Sequence, residues 1–177
     1  FMICLIVILS LIFLSMMAVL LWRIRSIYKI LESIEKQNPP SPEETRAWVW
    51  ITNDKDYRTF LKLTNSNVFG ILSITPKRVS LYSSDIKGKR SVLHIDRINL
   101  HAEWLGQKLI PYNFVPWFSI ADVRYGNSPI YISSCMNPSM KTLLSGTAAS
   151  QAINQTKELY FKLTGFKRTG KDRELPA

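Results

Sequence analysis

The side chains in this sequence best suited to chemistry are basic residues gathered in two predicted turns. Lys87, Lys89 and Arg90 form a K-G-K-R loop between two predicted strands, and Lys77 and Arg78 lie at the neighbouring predicted turn. Converging Lys and Arg side chains can hold a phosphate group, and Arg adds a bidentate fork. These five residues are therefore candidates for contact with anionic lipid headgroups. A solvated basic hairpin tip is the simpler interpretation of the same run.

Two histidines each stand two residues before a carboxylate, a spacing that could ligate a metal ion. His94 precedes Asp96, and His101 precedes Glu103. Alternate residues of a strand share one face, so each pair could present two ligands together. No third ligand is evident near either pair. Exposed polar residues of a strand are the favoured interpretation, and no metal site is predicted.

Nucleophilic residues occur without the partners that catalysis needs. Ser133, Ser134 and Cys135 follow one another, but the sequence has no G-x-S-x-G elbow and no recognisable base beside them. A P-loop, a dinucleotide fingerprint and paired carboxylates are also missing from the sequence. The sequence therefore predicts no catalytic residues and no cofactor.

Aromatic residues offer a possible protein contact. Tyr112, Phe114 and Trp117 lie close together around Pro116, where a strand is predicted to begin. Aromatic side chains on a basic surface are frequent anchors of protein interfaces, although core packing is the alternative for each of them. Three other tryptophans belong to predicted strands and are expected to fill the interior of the sheet: Trp48, Trp50 and Trp104.

The domain that carries all these residues would be held in place by the apolar run 1–22. It contains no charged residue or histidine, and its only polar side chains are Ser10 and Ser15. As a helix it spans about 33 Å, enough to cross a hydrocarbon core of about 30 Å. The run predicts one transmembrane helix; a cleaved signal peptide and a buried core helix fit its length and flanks less well. Basic residues follow it directly, which predicts a cytoplasmic C-terminal domain.

The predicted helix continues beyond the bilayer through a neck that ends near residue 37. Apolar residues recur along it at alternating spacings of four and three, forming a heptad seam: Phe13, Met17, Leu20, Ile24, Ile27, Leu31 and Ile34. The seam is predicted to dock a second helix, either from a partner or from a second copy of the chain. The alternative is that the neck packs back on its own domain.

The remainder of the chain predicts a sheet followed by one helix. Asn38, Pro39 and Pro40 end the first helix, and the sequence SPEE at 41–44 resembles a capping box that would start a short helix through about residue 47. Strands are predicted around 49–51, 60–63, 68–75, 79–83, 92–95, 98–104, 114–120 and 130–134. A helix is predicted over 147–164 with Gly165 as its cap, and a basic, disordered tail over 166–177. These elements predict a linker at 38–47 and one domain at 48–165.

Bulk composition limits the class of partner. The chain has 23 Lys and Arg against 13 Asp and Glu, for a formal net charge of +10. Beside a membrane anchor, this excess favours an anionic lipid surface or an acidic protein, because no nucleic-acid motif accompanies it. Two cysteines provide neither a disulfide framework nor a metal set, as is usual in a reducing compartment.

Two strings resemble bacterial pleckstrin-homology-like (PH-like) and GRAM-like domains. The string GILSITPKR at 70–78 resembles their G-x-L-x-hydrophobic-T-x-K-R hairpin, and VPWFSI at 115–120 resembles a string that enters a later strand. The resemblance implies an α+β fold: a PH-like antiparallel barrel or sandwich closed by a C-terminal helix, here behind one N-terminal transmembrane helix. It also implies a binding or scaffold module, in some members gripping phosphoinositides through a basic inter-strand loop.

These observations predict a non-catalytic accessory or assembly subunit of a larger membrane protein complex. Its transmembrane helix would dock in the membrane, and its domain would clamp the cytoplasmic face of the complex. The alternative is a membrane-anchored module that binds anionic headgroups through Lys87, Lys89 and Arg90.

Overall fold

The fold is a curled antiparallel half-barrel flanked by two helices. A computed structural model describes residues 2–52, 68–106, 116–126, 128–134 and 148–165. Their elements, in chain order, are α1 (Met2–Gln37), β1 (Thr45–Thr52), β2 (Val68–Ile74), β3 (Arg78–Asp85), β4 (Arg90–Asp96), a 3-10 turn (Arg97–Asn99), β5 (Leu100–Gly106), β6 (Trp117–Asp122), β7 (Ile130–Ser134) and α2 (Ala148–Thr164). The predicted combination of an antiparallel sheet with a C-terminal helix is confirmed. The strand predicted at 60–63 and the tail 166–177 lie outside the described residues.

All seven described strands belong to one sheet. Their order is β4-β3-β2-β1-β7-β6-β5, with antiparallel pairing throughout. Side chains on the concave face form the main core together with two leucines of α2. Its buried members are Val49, Ile51, Leu72, Ile74, Val79, Leu81, Ile95, Phe118, Ile120, Ile132, Leu159 and Leu163.

The convex face of the sheet carries a second core beneath α1. Ile27, Leu31 and Ile34 are buried there against Phe69 and Ile71 of β2. Because α1 covers this face, both faces of β1 are packed: Val49 points into the main core, whereas its even-numbered neighbours point towards α1. The prediction that all three strand tryptophans fill the interior is correct for Trp104 and wrong for Trp48 and Trp50.

The first part of α1 is apolar and exposed. Every residue over 4–19 is exposed, with Phe13 at 64% and Leu14 at 63%. The helix continues without interruption to Gln37, directly before Asn38 and Pro39, as the prolines predict. Searching the described residues for a helix with the length and apolarity of a membrane span finds none.

The prediction of a short capped helix within the linker at 38–47 is wrong. One bond expected of its cap does form, since the Glu44 carboxylate accepts the Ser41 N–H at 2.8 Å, and the Glu44 N–H donates to the Ser41 backbone carbonyl at 3.1 Å. The chain nevertheless continues as β1, whose ladder with β2 begins at Thr45. Arg46 also donates to the carbonyls of Asn38 and Pro39 and to Glu44, which fixes the extended path. Strand pairing thus overrides a local helix signal.

Alternation over 98–104 predicts that Ile98, Leu100, Ala102 and Trp104 share one face of a strand, which holds for the last three and is wrong for Ile98. Leu100, Ala102 and Trp104 pack against the main core, but Ile98 is 91% exposed. The strand begins later than predicted because Arg97 starts a 3-10 turn, where its N–H donates to the Lys77 carbonyl at 3.0 Å.

The last helix closes the open side of the half-barrel. Ala152, Thr156, Leu159 and Leu163 form its buried line, at spacings of four, three and four residues. Gly165 ends the helix with a φ of 75°, as expected of a glycine C-cap.

Candidate functional site

The β3–β4 turn is the candidate headgroup site, and its backbone is tightly fixed. The Asp85 N–H donates to the Lys89 carbonyl at 3.0 Å, and the Lys89 N–H donates to the Asp85 carboxylate at 2.8 Å. Gly88 has a φ of 87°, which suits glycine. Lys87 and Lys89 are exposed on this turn. The turn therefore presents two ammonium groups to solvent from a stable loop.

Arg90 has a different role from its two neighbours. Its guanidinium donates to the hydroxyl of Ser33 at 2.9 Å and to the side-chain carbonyl of Gln37, both on α1. Binding a phosphate would require these bonds to be exchanged. We conclude that Arg90 joins α1 to the sheet, leaving Lys87 and Lys89 as the free cations of this turn.

Lys77 and Arg78 do not join the candidate headgroup site. They lie at the other end of β3, about 23 Å from the β3–β4 turn at the usual rise of a strand. The five basic residues therefore do not form one cluster, because consecutive turns of a meander lie at opposite ends of the strand between them; that either group contacts headgroups stays a prediction.

The turn that carries Lys77 explains the T-x-K-R part of the first string. The Thr75 hydroxyl donates to the Arg78 carbonyl at 2.8 Å and accepts the Arg78 N–H at 3.1 Å. The Thr75 N–H also donates to that carbonyl, at 2.9 Å. Threonine thus closes the β2–β3 hairpin, a structural role.

The predicted aromatic contact is wrong for the one member that the structure describes. Trp117 is only 2% exposed and packs with Tyr131, Trp50 and Leu105. Phe118 and Ile120 point into the main core, so Trp117 faces the opposite side of β6 and is buried there. The other two members of the prediction, Tyr112 and Phe114, lie outside the described residues.

The helix seam divides into two parts. Ile27, Leu31 and Ile34 are 8%, 0% and 3% exposed, packed on their own sheet, so they are not available to a second helix. The alternative of a neck that packs back on its domain applies to them. Phe13 and Met17 are exposed at 64% and 39%. The described side chains do not include Leu20 or Ile24.

The histidine pairs do not assemble a metal site. His94 contacts the Ser80 hydroxyl through Nδ1 at 2.8 Å and lies edge-on to the Tyr82 ring. His101 and Glu103 are exposed on β5. Over the described ranges of the chain, no group of three His, Cys, Asp or Glu side chains is placed to hold a metal ion.

A charged cluster between β4 and β6 was missed by the sequence reasoning. The Asp122 side chain is 2% exposed, and Arg124 donates to its two oxygens at 3.1 and 2.8 Å. These hydrogen bonds hold the pKa of Asp122 below its ordinary value and raise the pKa of Arg124. Arg124 also reaches Asp96 at 3.4 Å. In the sequence, the pairing could have been inferred from Asp122 and Arg124 standing two residues apart at the end of a strand.

A groove between the helices carries charges of both signs. It has a volume of about 370 Å³ and lies where α1, the first residues of β1 and α2 meet. Glu35, Arg46, Glu158 and Lys162 line it, and the Glu158 carboxylate is 3.1 Å from the Lys162 ammonium. Burial raises the pKa of Glu44, but hydrogen bonds from Arg46, Ser73 and Ser41 outweigh it and leave that pKa lowered. Arg46 pairs with Glu44 and Lys162 pairs with Glu158, which suits a structural role.

Comparison with known proteins gives no relative from which a function could be transferred. No family model, no curated protein and no solved structure matches the chain.

Proposed function

We propose that this protein is a non-catalytic, membrane-tethered binding subunit of a larger membrane protein complex. The apolar part of α1 docks in the membrane, and the half-barrel contacts the cytoplasmic face of the complex. The observation that carries this proposal is the division of α1, whose residues 4–19 are all exposed whereas Ile27, Leu31 and Ile34 are buried on the sheet.

The exposed part of α1 is suited to lipid or to the apolar helices of a partner. An apolar surface of this size is rarely left in water. Its polarity is lowered further because the Ser15 hydroxyl donates to the Ile12 carbonyl at 2.7 Å, which satisfies the one donor of that side chain. Arg25 and Lys29 follow on the cytoplasmic side of the proposed span.

The half-barrel is compatible with a PH-like binding module. Its curled antiparallel sheet joins two meanders, β1–β4 and β5–β7, through the pairing of β1 with β7, and α2 closes the open side. The proline of the string VPWFSI at 115–120 packs within this sheet: Pro116 is buried, and its carbonyl accepts the Ser133 hydroxyl at 3.0 Å. A resemblance in fold does not identify a ligand, so the partner is inferred from the tether.

The coupling between tether and domain favours a subunit over a module on a flexible leash. Leu31 is fully buried, and Arg90 binds the last turns of α1. A rotation of α1 in the membrane would therefore turn the half-barrel with it. A rigid connection of this kind suits a subunit that contacts one partner both in the membrane and at its cytoplasmic face.

Extraction of the full chain from native membranes tests this proposal. The variant Ile12→Arg places a charge in the middle of the exposed apolar run, at a cost of about 3 kcal/mol in a bilayer; Ile12→Ala is the matched control. We expect the parent chain and Ile12→Ala to resist alkaline carbonate and to co-purify in mild detergent with a larger integral membrane protein in fixed ratio. Ile12→Arg is expected to lose both properties. A parent chain that washes off, or elutes alone or only with a second copy of itself, would contradict the proposal.

Headgroup binding is a second candidate function, favoured by the exposure of Lys87 and Lys89. Each would contribute about 1 kcal/mol near an anionic bilayer. In the Ile12→Arg background, which removes the apolar tether, charge reversal at both residues should then weaken the association of the full chain with vesicles containing phosphatidylglycerol, whereas reversal at Glu32, on α1, should not. Equal binding of both variants would remove this function.

A further inference from the structure

We propose that a corner of the half-barrel makes a second, peripheral contact with an anionic bilayer. The corner consists of the 3-10 turn Arg97–Asn99 and the turn at 123–126, and it would place Ile98, Val123 and Tyr125 among the lipid headgroups. The inference rests on the proposed membrane tether, which brings the half-barrel to the bilayer. It uses a surface distinct from the β3–β4 turn.

Exposed apolar side chains converge on this corner. Within the described part of the chain, four large apolar residues beyond α1 are strongly exposed: Val92 at 55%, Ile98 at 91%, Val123 at 66% and Tyr125 at 68%. Three of the four lie on the two adjoining turns. Such a concentration on a small domain marks an interaction surface.

Hydrogen bonds hold the two turns in fixed relation. The Val123 N–H donates to the Asn99 carbonyl at 3.0 Å, and the Tyr125 N–H donates to the Asp122 carbonyl at 3.3 Å. The Arg97 N–H binds the Lys77 carbonyl, which ties the β2–β3 turn to the same corner. These hydrogen bonds fix the backbone of both turns, and this backbone conformation directs the apolar side chains into solvent.

The charge around the corner selects an anionic partner. Four basic residues surround the apolar tips, namely Lys77, Arg78, Arg97 and Arg124, against two acidic ones, Asp96 and Asp122. Asp122 is buried and neutralised by Arg124. Asp96 lies opposite Arg78 in the β3–β4 ladder and is reached by Arg124, so its charge is also offset. The Arg97 guanidinium donates to the Lys162 and Leu163 carbonyls, so Lys77 and Arg78 carry most of the positive charge that the corner exposes.

The shape of the corner favours a bilayer over a protein groove. Ile98 at 91% exposure protrudes with almost no neighbours, whereas the anchor residues of protein interfaces sit in well-packed surroundings. Tyr125 adds a ring with a polar tip, a residue type enriched at membrane interfaces, and Arg124 lies 5.3 Å from the centre of that ring. Protruding aliphatic tips beside cations match the chemistry of an anionic lipid surface.

Fluorescent reporters on the full chain test this inference. In a background where Cys4 and Cys135 are serine, single cysteines at Val123, Val92 or Trp22 carry an environment-sensitive dye. The chain is reconstituted in nanodiscs of phosphatidylcholine and phosphatidylglycerol that contain a quencher in the lipid. Position 22 reports the tether, position 123 the corner, and position 92 is the matched exposed control.

Quenching at positions 22 and 123, but not at 92, is the expected result. Quenching at position 123 no stronger than at position 92 would overturn the corner contact. If position 22 is quenched in the same sample, the proposed tether is still supported. Quenching at 123 without 22 would support the corner and contradict the tether.

Charge variants then test the anionic partner. Lys77→Gln should lower the ratio of docked to undocked corner about fivefold, whereas Lys87→Gln at the far turn should leave it unchanged. An equal effect of both variants, or equal quenching at 123 in discs of phosphatidylcholine alone, would contradict recognition of anionic lipid by this corner.

Discussion

Arginine side chains join the parts of this molecule. Arg90 binds Ser33 and Gln37 of α1, and Arg97 donates to the carbonyls of Lys162 and Leu163 at the end of α2. The second contact places a cation at a helix C-terminus, where the unpaired carbonyls are electronegative. Part of the net charge of +10 is therefore engaged inside the protein, and lysines carry much of what remains for a partner.

At the same scale, Gly70 is required because a side chain there would meet backbone. A Cβ would lie 2.4 Å from the Tyr82 carbonyl oxygen and 2.7 Å from Cδ1 of Ile51. We expect Gly70→Ala to destabilise the domain by about 3 kcal/mol or to prevent folding, as overpacking against a strand does. In Gly88→Ala the new methyl meets nothing within 4 Å, and only the φ of +87° costs free energy, about 1 kcal/mol. Chemical denaturation that ranks Gly88→Ala as the more harmful change would contradict this packing.

Asp122 predicts a dependence of stability on acid pH. Because Arg124 holds the pKa of Asp122 below the ordinary 3.8, this carboxylate stabilises the fold above pH 3.8, and the stabilisation is lost as the pH falls through the lowered pKa. Asp122→Asn should be less stable at pH 7 and lose less stability on acidification than the parent. Asp96→Asn, whose side chain is 55% exposed, is the control and should change the acid slope little. Parallel acid slopes for the parent and Asp122→Asn would refute the assignment.

At the scale of the element, the buried end of α1 is what makes it part of the domain. Leu31 is 0% exposed, so Leu31→Ala should lower the free energy of unfolding by about 3 kcal/mol through lost contacts and a cavity. Glu32→Ala, on the exposed side of the same turn, should change it by less than about 0.5 kcal/mol. Denaturant melts of the full chain in detergent measure both. Equal stability of the two variants would show that α1 does not pack on the sheet.

Sequence patterns predicted the positions of the helices and strands better than they predicted which faces of those elements are buried. The apolar run and Pro39 were enough to place the end of α1, and alternation over 98–104 placed Leu100, Ala102 and Trp104 on one face of β5. Alternation could not orient β1, because Val49 and Trp50 are both apolar and both faces of that strand are covered. The aliphatic side chain of Ile98 likewise matched the strand pattern, although a turn exposes it.

Long-range placement decided the candidate sites. The five basic residues were visible in the sequence, but the length of β3 separates them into two ends of the sheet, and the approach of α1 engages Arg90. Trp117 looked available beside Pro116 and is buried by neighbours far away in sequence. These outcomes depend on which element covers which face, and that is set by tertiary packing.

At the scale of the whole molecule, the half-barrel packs on the C-terminal part of α1 and leaves the first part of that helix uncovered. Residues 4–19 need an apolar environment that the described domain does not supply, while the turns of the sheet display cations. Under the proposed function, this arrangement would give one face to lipid or to apolar helices and another to an anionic surface or partner. It is an architecture for contact.

The accessibility of single cysteines in native membranes tests this account most directly. In a background with serine at Cys4 and Cys135, cysteine is placed at Leu9 in the exposed apolar run or at Lys89 in the β3–β4 turn, and a membrane-impermeant maleimide is applied before and after the membranes are opened. Position 9 is expected to stay unreactive until the protein is denatured, and position 89 to react only once the cytoplasmic side is open. Rapid reaction at position 9 in intact membranes would contradict the tether.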